Sequence, residues 1–598
     1  MPLQCVCRAI SRLRLTLAFL ALACWLGALP VAPTHTERST DGDEELLPIN
    51  ETEAERALGN LLAPRLLAPR ARASDPPPVG PIRNVAEFEP CTGVLIRYPL
   101  GLPYSLIREM TRDVTVHVIV SSENYGTAVA NFNAEGVDTS RVEWVVAPNN
   151  SIWTRDYGPW FVFDGNGKEV ILDHFYNRPT RPDDDQIPIV LGAKWGIPVV
   201  THTLWHTGGN YMSEGHGLSY STDLVWYENP SMSHSEIAQF MRDYYGVGEY
   251  QVLPDISPDG IHHIDTWAKL LDEETVLVKQ VDASHPDYGR IEATAATIAG
   301  LTDKYGRPFR VARVFCPPIP SGDVAAYTNS LILNNRVFVP NFNTPAADAA
   351  ALEVYRNSMP GYEVIGVDGS WLSQDALHCR VMGIHDRYML RVDHNPVQQA
   401  GPGLPVPITM YADDRSEAGL DMTFTKLYWR QAGASAFTAV PFVPTSQPDW
   451  YEAQIPAQPP LAKVEYYVTA RDLTGRTASR PRPAPYATYR FSVSATASAG
   501  TPDGASNGNL ELTTSPTPFQ SGAVVRFRLG AAGPVRLAVY DVRGREVARL
   551  VERSLPAGAH KFEWSGQSAN GAPAPSGVYF VLLKAAGERA SRRVVLIR

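Results

Sequence analysis

Three short segments, far apart in the 598-residue sequence, carry side chains that could act together in catalysis. The first segment holds Trp153 and Asp156, in a run that continues with Tyr-Gly-Pro-Trp. The second holds His263 and Asp265, and the third ends with the thiol of Cys379. Together the three segments supply two carboxylates, an imidazole and a thiol.

This set of groups suits nucleophilic attack on a guanidinium. Two carboxylates can hold the planar cation through paired, charge-assisted hydrogen bonds. A thiolate can attack the central carbon, while a histidine carries protons to the departing ammonia and from the incoming water. In an extended segment His263 and Asp265, which are two residues apart, would point to the same face. The combination predicts hydrolysis of a guanidino compound.

Each segment taken alone allows a simpler interpretation. The Arg-Asp pair that ends in Asp156 could be a salt-bridged turn, since structural ion pairs are common. His262 and its neighbours could bind a metal, although no Cys-x-x-Cys or His-Glu-x-x-His spacing accompanies them. Cys379 could be a buried core thiol. Because a free thiol has a pKa of about 8.5, catalysis requires a lowered pKa or deprotonation assisted by the substrate.

The N-terminus and the cysteines indicate an exported protein. A basic segment precedes the apolar run 15–29, which is too short to cross a bilayer, so residues 1–32 are predicted to be a secretory signal peptide. An uncleaved signal anchor is the alternative. Beyond that segment only Cys91, Cys316 and Cys379 remain, an odd number that argues against a disulfide scaffold. We interpret the first two as structural.

Composition divides the rest of the chain. Residues 33–82 are polar, charged and Pro-rich, which is typical of a disordered leader or propeptide. Residues 83–396 alternate β-rich apolar segments with helical spacing, which predicts an α/β catalytic domain. Residues 406–494 alternate like the short strands of an Ig-like module, and residues 495–508 have the composition of a linker. The last block, 509–598, again follows a strand-turn-strand pattern.

Within the α/β region the apolar periodicity also predicts individual elements. The predicted strands are 114–120, 142–147, 276–281 and 330–339, and the predicted helices are 236–245 and 346–359.

The last block resembles the FlgD-like and type IX secretion C-terminal β-sandwich modules of exported bacterial proteins. The strand that begins Ser576-Gly-Val-Tyr-Phe and the terminal segment Arg592–Arg598 carry this resemblance. It implies contact with secretion machinery or attachment to the cell surface, so the expected location is secreted or at the cell surface. It implies no chemistry.

Residues 83–390 resemble the bacterial peptidylarginine deiminases of the Porphyromonas type, which are related to agmatine deiminases. The motifs that carry the resemblance, in chain order, are Ala86–Pro90, Trp153–Pro159, Tyr176–Pro179, His206–Gly215, His263–Asp265, Tyr327–Ser330, Val339-Pro340 and Leu377–Cys379. The resemblance implies a five-bladed, pseudo-symmetric α/β propeller with its site at the central opening. The Ig-like module that follows fits secreted deiminases of this type. Together with the FlgD-like last block, it makes two all-β sandwich modules expected after the propeller.

The resemblance also assigns roles to the site residues. Asp156 and Asp265 would bind the guanidinium nitrogens, and His263 would be the acid and base. Cys379 would be the nucleophile and would form an S-alkylthiouronium intermediate, which water converts to citrulline. Trp153 would form a wall of the pocket. None of these steps needs a metal or another cofactor.

Other residues would choose the substrate. In the Porphyromonas-type enzyme, the arginines of an Asn-Arg-Pro-Arg-Pro run bind the α-carboxylate of a C-terminal arginine. Arg178 matches the first of them, while an inserted Thr180 displaces Arg181. A basic loop paired with the acidic run Asp183–Asp185 is the alternative, and that run is also where a structural calcium ion could bind. Asn329 is expected to order the backbone or to contact substrate.

Three functions therefore compete. The first is a secreted deiminase that acts on peptide or protein arginine, and the second is an agmatine or free-arginine deiminase. The third is a non-catalytic surface adhesin, against which the complete set of Asp, His, Asp and Cys argues. The net charge of −10 argues against nucleic acid as a partner.

Overall fold

The computed structural model describes residues 37–38, 45–57, 74–256, 260–320 and 323–495, and most of the last block. The described parts of that block are 512–515, 522–529, 532–541, 545–556, 558–568, 572–575, 577–585 and 588–596. The predicted signal peptide and nearly all of the predicted linker lie outside these residues. No helix in the described ranges combines the length and apolar character that crossing a bilayer requires.

A short N-terminal segment precedes the main body of the chain. Its strands β1 (Glu37–Arg38) and β2 (Glu45–Leu46) pair antiparallel, and residues 53–57 are helical. Leu46 and Ile49 of this segment are buried against the catalytic domain, with 4% and 6% of their surface exposed. The composition of residues 33–82 predicts disorder, and the difference arises from these few apolar side chains, which find a partner surface only in the folded chain.

Strands and helices alternate from residue 83 to residue 385. The strands are β3 (Arg83–Asn84), β4 (Cys91–Arg97), β5 (Thr115–Val120), β6 (Val142–Val146), β7 (Trp160–Phe163), β8 (Glu169–Tyr176), β9 (Val199–His206), β10 (Met212–Ser213), β11 (Leu218–Thr222), β12 (Glu249–Leu253), β13 (Ala268–Leu270), β14 (Thr275–Gln280), β15 (Arg310–Phe315), β16 (Leu331–Leu333), β17 (Arg336–Asn341), β18 (Glu363–Asp368) and β19 (Met382–His385). The α-helices are α1 (Tyr104–Met110), α2 (Tyr125–Ala134), α3 (Thr154–Tyr157), α4 (Ile187–Trp195), α5 (Leu224–Glu228), α6 (His234–Tyr245), α7 (Tyr288–Ala299) and α8 (Pro345–Ser358).

These strands form five small sheets with a common pattern. The sheet orders are β19-β4-β5-β6, β3-β7-β8-β9, β10-β11-β12, β13-β14-β15 and β16-β17-β18. In each sheet an antiparallel pair is followed by a parallel strand. A helix lies between the parallel strands, as a parallel connection requires. The last strand, β19, pairs with β4 of the first sheet and so closes the series of sheets.

Local sequence explains most of these elements. The buried run of β4 is almost continuously apolar, as expected for a parallel strand covered on both faces. Helix α6 begins with a capping box between Ser233 and Glu236 and ends at Gly246, which has a φ of 67°. The single strand predicted for 330–339 is instead the hairpin β16–β17, because Asn334 turns the chain at a φ of 56°.

Two further sheets follow the five. Their strands are β20 (Leu390–Asp393), β21 (Gln399–Ala400), β22 (Val406–Asp414), β23 (Lys426–Gln431), β24 (Thr438–Pro441), β25 (Val443–Pro444), β26 (Trp450–Ile455), β27 (Lys463–Arg471), β28 (Thr477–Arg480) and β29 (Tyr489–Val493). They form the sheets β20-β22-β26-β25 and β21-β29-β27-β23-β24, the latter with β28 beside β27, around one apolar cluster. Burial alternates along β22, so one face is apolar and the other polar. Strand β20 lies before the boundary predicted at residue 396 but pairs with β22.

The last block is again all β. Its strands are β30 (Leu512–Ser515), β31 (Ala523–Leu529), β32 (Gly533–Asp541), β33 (Glu546–Leu555), β34 (Gly558–Trp564), β35 (Gly577–Ala585) and β36 (Glu588–Leu596). They form two sheets, β30-β31-β34 and β33-β32-β35-β36, which share an apolar cluster. The chain is thus a mixed α/β domain followed by β-rich parts.

Candidate active site

The predicted catalytic residues all lie where the chain passes from one sheet to the next. Asp156 lies in α3 between β6 and β7, His263 and Asp265 lie between β12 and β13, Asn329 lies between β15 and β16, and Cys379 lies between β18 and β19. The passage between β9 and β10 is a tight turn, Gly208–Asn210. One segment from each of the five passages therefore takes part in the site.

Gly209 marks the point on which three of these residues converge. A Cβ atom placed on it would lie 2.5 Å from Nδ1 of His263, 2.8 Å from Oδ1 of Asp156 and 3.2 Å from Oδ2 of Asp265. The backbone N–H of Gly209 donates to Oδ1 of Asp156 at 3.0 Å. The fold thus brings both carboxylates and the imidazole together, as the sequence predicts. Ile264–Thr266 is a 3₁₀ turn and not the extended segment expected there.

Cys379 lies beside this group and is held by Asn329. The Asn329 side chain donates from Nδ2 to Sγ of Cys379 at 3.3 Å, and its Oδ1 accepts from the backbone N–H of His378 at 3.0 Å. The thiol also lies 3.7 Å from Oδ2 of Asp265. Asn329 therefore orders the turn that carries the thiol, one of the two roles expected of it.

A series of contacts between ionisable side chains holds Asp265 in place. His378 contacts Oδ2 of Asp265 through Nδ1 and Oε2 of Glu87 through Nε2, both at 2.7 Å. Glu87 in turn accepts from Nζ of Lys269 at 2.6 Å. The imidazole of His378 thus bridges two carboxylates. These contacts offset the cost of burying the polar groups of the chain.

Burial dominates the electrostatics of the site. It lowers the pKa of His263 to about 3, so the imidazole is neutral near pH 7. It raises the pKa of Asp156, an effect that the charge of Arg178 opposes. Burial also raises the pKa of Cys379 well above its ordinary value, with a further contribution from the charges of Asp265 and Asp156. The unliganded site therefore contains a thiol and not a thiolate.

Several buried polar atoms of the site lack a hydrogen-bond partner among the described residues. They are both ring nitrogens of His263 and Oδ1 of Asp265. Buried polar atoms without partners are costly, and their presence is a common mark of a binding site. Two of the three atoms are hydrogen-bond acceptors or can become so, which suits a ligand rich in N–H donors.

The predicted substrate residues surround the N-terminal segment. Trp153 is fully buried, and its indole N–H donates to the carbonyl of Leu47 at 3.1 Å. Arg178 donates to the carbonyl of Ile49, and Arg181 forms an ion pair with Glu55 at 2.9 Å. The charge of Arg178 opposes the rise in the pKa of Asp156 that burial causes, and it adds to the lowering of the pKa of His263 by burial. The alternative partner for these arginines, the acidic run 183–185, has other donors.

Those donors come from the loop before α3 and from β8. Asp183 accepts from Asn150, Asp184 accepts from Ser151 and Asn150, and Asp185 accepts from the backbone N–H of Tyr176. Among the described residues no group of three or more His, Cys, Asp or Glu side chains could hold a metal ion. His262, the other residue considered for metal binding, instead contacts Asp255 at 2.8 Å.

Sequence reasoning missed three contributors to the site. Glu87, Gly209 and His378 all lie within motifs that carry the family resemblance. Their place in these motifs was the one signal in the sequence that could have identified them as site residues. Their types alone do not indicate a role, because their partners are distant in sequence: His378 and Glu87 are 291 residues apart. The docked segment around Ile49 was also unexpected. Its signal was a short apolar run between acidic stretches.

Comparisons with known proteins show which families the chain resembles. A family model described as Porphyromonas-type peptidyl-arginine deiminase matches residues 102–384, and one described as FlgD Ig-like domain matches residues 513–588. An agmatine deiminase of Medicago truncatula is 24% identical over 371 residues, which cover 49% of this chain and 94% of the relative. An agmatine deiminase of Pseudomonas putida is 26% identical over 315 residues, covering 46% and 84%. The solved agmatine deiminase of Enterococcus faecalis has a TM-score of 0.44 and 20% identity, and covers 51% of this chain and 96% of that one.

The predicted resemblances to the deiminases and to the FlgD-type module are thereby confirmed. The prediction of an enzyme that hydrolyses C–N bonds of linear amidines is confirmed as well.

Proposed function

Starting from this relationship to the deiminases, we propose that the chain is a secreted enzyme that converts peptidyl arginine, with C-terminal arginine favoured, to citrulline and ammonia. The observation that carries the proposal is the convergence of Asp156, His263 and Asp265 around Gly209, with the Cys379 thiol 3.7 Å from Asp265. A guanidinium bound there would meet two carboxylates, a neutral imidazole and a nucleophile together.

Binding of the substrate would favour ionisation of the Cys379 thiol. Burial and the charges of the two carboxylates raise the pKa of Cys379, and the positive charge of a bound guanidinium would offset one of those negative charges and lower that pKa. The cation would also stabilise a thiolate formed beside it. His263 is neutral near pH 7 and can accept the proton from the thiol. The proposed enzyme therefore forms its thiolate when substrate is bound.

The chemical steps then balance without a redox partner. The Cys379 sulfur bonds to the guanidinium carbon, and the resulting tetrahedral adduct loses one nitrogen as ammonia after His263 returns a proton to it. The S-alkylthiouronium that remains is attacked by water, from which His263 takes a proton. Collapse of the second adduct breaks the C–S bond, releases the ureido group of citrulline and regenerates the thiol.

Arg178 and Arg181 support the choice of a substrate with a carboxylate. Two guanidinium groups bind a carboxylate through paired hydrogen bonds and repel agmatine, which carries an amine at that end. Both arginines also bind main-chain carbonyls of the N-terminal segment. The surface formed by Trp153, Arg178 and Arg181, which we call the groove, therefore accepts peptide. The second candidate is agmatine deimination, which the names of the curated relatives favour.

The remaining expectations extend the proposal. The five sheets, with one site segment between each pair and closure through β19 and β4, support the five-bladed propeller. The paired sheets on shared apolar clusters support two sandwich modules. Export rests on the N-terminal sequence and on the match to the FlgD-type module, which we propose contacts secretion machinery or the cell surface. We propose that the reaction needs no cofactor, since the cysteine and histidine supply each step.

The test compares the release of ammonia and the formation of the ureido product from five substrates: one peptide with a free C-terminal arginine, its amidated form, a peptide with internal arginine, free arginine and agmatine. Amidation should lower kcat/KM at least tenfold, about 1.4 kcal/mol of transition-state binding. Arg178→Ala should bring the ratio of free to amidated peptide close to one. The matched variant Arg290→Ala, on the surface of α7, should leave the ratio unchanged. Equal turnover of agmatine and the free-carboxylate peptide would favour the second candidate.

A further inference from the structure

The segment that precedes the catalytic domain lies in the groove where substrate is proposed to bind. Four consecutive carbonyls of this segment accept hydrogen bonds from the groove. Trp153 donates to Leu47 at 3.1 Å, Arg181 donates to Pro48 at 2.7 Å and to Asn50 at 3.3 Å, and Arg178 donates to Ile49 at 3.1 Å through both Nε and Nη2. Two of the three donors, Arg178 and Arg181, are residues that the proposed function assigns to substrate, and the family resemblance places the third, Trp153, in the wall of the pocket.

The side chains of the segment divide between the groove and the solvent. Leu46 and Ile49 are buried, whereas Pro48 and Asn50 are exposed. Leu46 and Ile49 belong to the apolar cluster that also contains Trp153, Tyr176, Ile261 and Cys379. Burial of these two aliphatic side chains stabilises the docked segment and opposes the entropy lost when the chain becomes ordered.

An ion pair anchors the other end of the segment. Thr52 and Glu55 form a capping box, in which each side chain accepts the backbone N–H of the other residue. The Glu55 carboxylate then meets Nε and Nη2 of Arg181 at 2.9 and 3.2 Å. The Arg181 side chain is 0% exposed and that of Glu55 is 13% exposed, so water screens this pair little. Glu53, two residues before Glu55, is exposed.

The reacting groups are enclosed while the segment is docked. Asp156 is 1% exposed, and His263 and Cys379 are both 0% exposed. A peptide substrate that approached Arg178 and Arg181 would have to displace the carbonyls of Pro48 and Ile49. Substrate and segment therefore compete for the same hydrogen-bond donors.

We propose that residues 46–55 are an intramolecular inhibitor of the enzyme. The groove binds an extended peptide that presents consecutive main-chain carbonyls, places apolar side chains three residues apart and carries a glutamate six residues beyond the second of them. Because the inhibitor is tethered to the enzyme, its effective concentration is high and it outcompetes dilute substrate. This inference rests on the proposed function for its effect on turnover, but not for the binding itself.

The test uses full-length variants within the segment. Glu55→Lys places a cation against Arg181, and Ile49→Asp places a charge in the apolar cluster, so either should release the segment. We expect kcat/KM for a peptide with C-terminal arginine to rise at least tenfold in both. Glu53→Lys makes the same change of charge at an exposed position, and its kcat/KM should stay within twofold of the parent chain.

A synthetic peptide of residues 45–57 then tests the groove directly. Added to the Ile49→Asp chain, it should inhibit competitively, and the same peptide with Glu55→Lys should not. A fluorescently labelled copy should bind the Ile49→Asp chain in an anisotropy titration that needs no turnover. If no variant forms citrulline but the labelled peptide binds, the proposed function fails and the docking site stands. Measurable but equal kcat/KM in all four chains, or no binding of the labelled peptide, overturns the inhibitor.

Discussion

His378 lies 2.7 Å from Asp265, and this contact orients one of the two carboxylates proposed to bind the guanidinium. The other ring nitrogen of His378 is held by Glu87 at the same distance. Glu87 can take this position because it remains ionised. Burial alone would raise its pKa, but His378, Lys269 and Arg155 lower it well below the ordinary range. The residue before the proposed nucleophile thus fixes the position of one carboxylate of the site.

Two amide variants separate the roles of the two His378 nitrogens. The amide of His378→Asn can donate near the position of Nδ1 and keep the contact with Asp265, while that of His378→Gln can donate near Nε2 and keep the contact with Glu87. If orientation of Asp265 is decisive, we expect kcat/KM to fall about 100-fold in the Gln variant and less than tenfold in the Asn variant, about 2.7 against 1.4 kcal/mol. Steady-state kinetics beside thermal unfolding curves measures both. A larger loss in the Asn variant would assign the effect to Glu87.

The three described cysteines should differ sharply in their effect on catalysis. Cys379→Ala should abolish turnover, because among the residues that the structure describes no other thiol lies in the site to form the covalent intermediate. Cys91 and Cys316 are buried in the core, where burial raises the pKa of both thiols. Cys91→Ala and Cys316→Ala should keep kcat within about threefold, with at most a loss of stability. Similar losses of activity in all three variants would contradict the assignment of the nucleophile.

A single methyl group at Gly209 should inactivate the enzyme. It would lie 2.5 Å from Nδ1 of His263 and 2.8 Å from Oδ1 of Asp156, so the site residues would have to move apart. We expect Gly209→Ala to lower kcat/KM at least 100-fold. Gly289 in α7 provides the control, since a Cβ there meets nothing within 4 Å. Gly289→Ala should leave kinetics unchanged and stabilise the helix by up to about 1 kcal/mol. Full activity of Gly209→Ala would show that the convergence does not matter.

Buried His206 should make the fold sensitive to acid. Burial lowers its pKa to about 3, so the unfolded chain, with a pKa near 6.5, binds a proton more readily than the folded chain. The free energy of unfolding should therefore fall as the pH decreases from about 6.5 towards 3, by about 1.4 kcal/mol per pH unit for this residue. Above pH 6.5 the residue contributes no pH dependence.

Urea unfolding at several pH values measures this slope. His206→Phe places an apolar ring of similar size there, and this ring cannot bind a proton. The slope of the free energy of unfolding against pH should therefore decrease by the contribution of one proton. His234→Phe changes an exposed histidine stacked on Trp226 and should leave the slope of the parent chain. An unchanged slope in His206→Phe would mean that other groups set the acid sensitivity.

Much of the chain could be predicted from local patterns. The helical periodicity predicted residues 236–245, and helix α6 begins only two residues earlier, after the capping box at Ser233. The apolar run 114–120 predicted strand β5, Thr115–Val120, because a strand covered on both faces is almost continuously apolar. The chemical types of Asp156, His263, Asp265 and Cys379 were likewise enough to indicate guanidinium chemistry.

Tertiary structure alone decided how these groups meet. The convergence on Gly209 joins passages between different sheets, and the Glu87–His378 contact joins residues 291 positions apart. Such proximity depends on how sheets pack, and no local period encodes it. The same holds for Ile49, whose polar surroundings in the sequence predict disorder. It is ordered because the folded domain offers it an apolar cluster and a row of hydrogen-bond donors, and neither exists until the catalytic domain has formed.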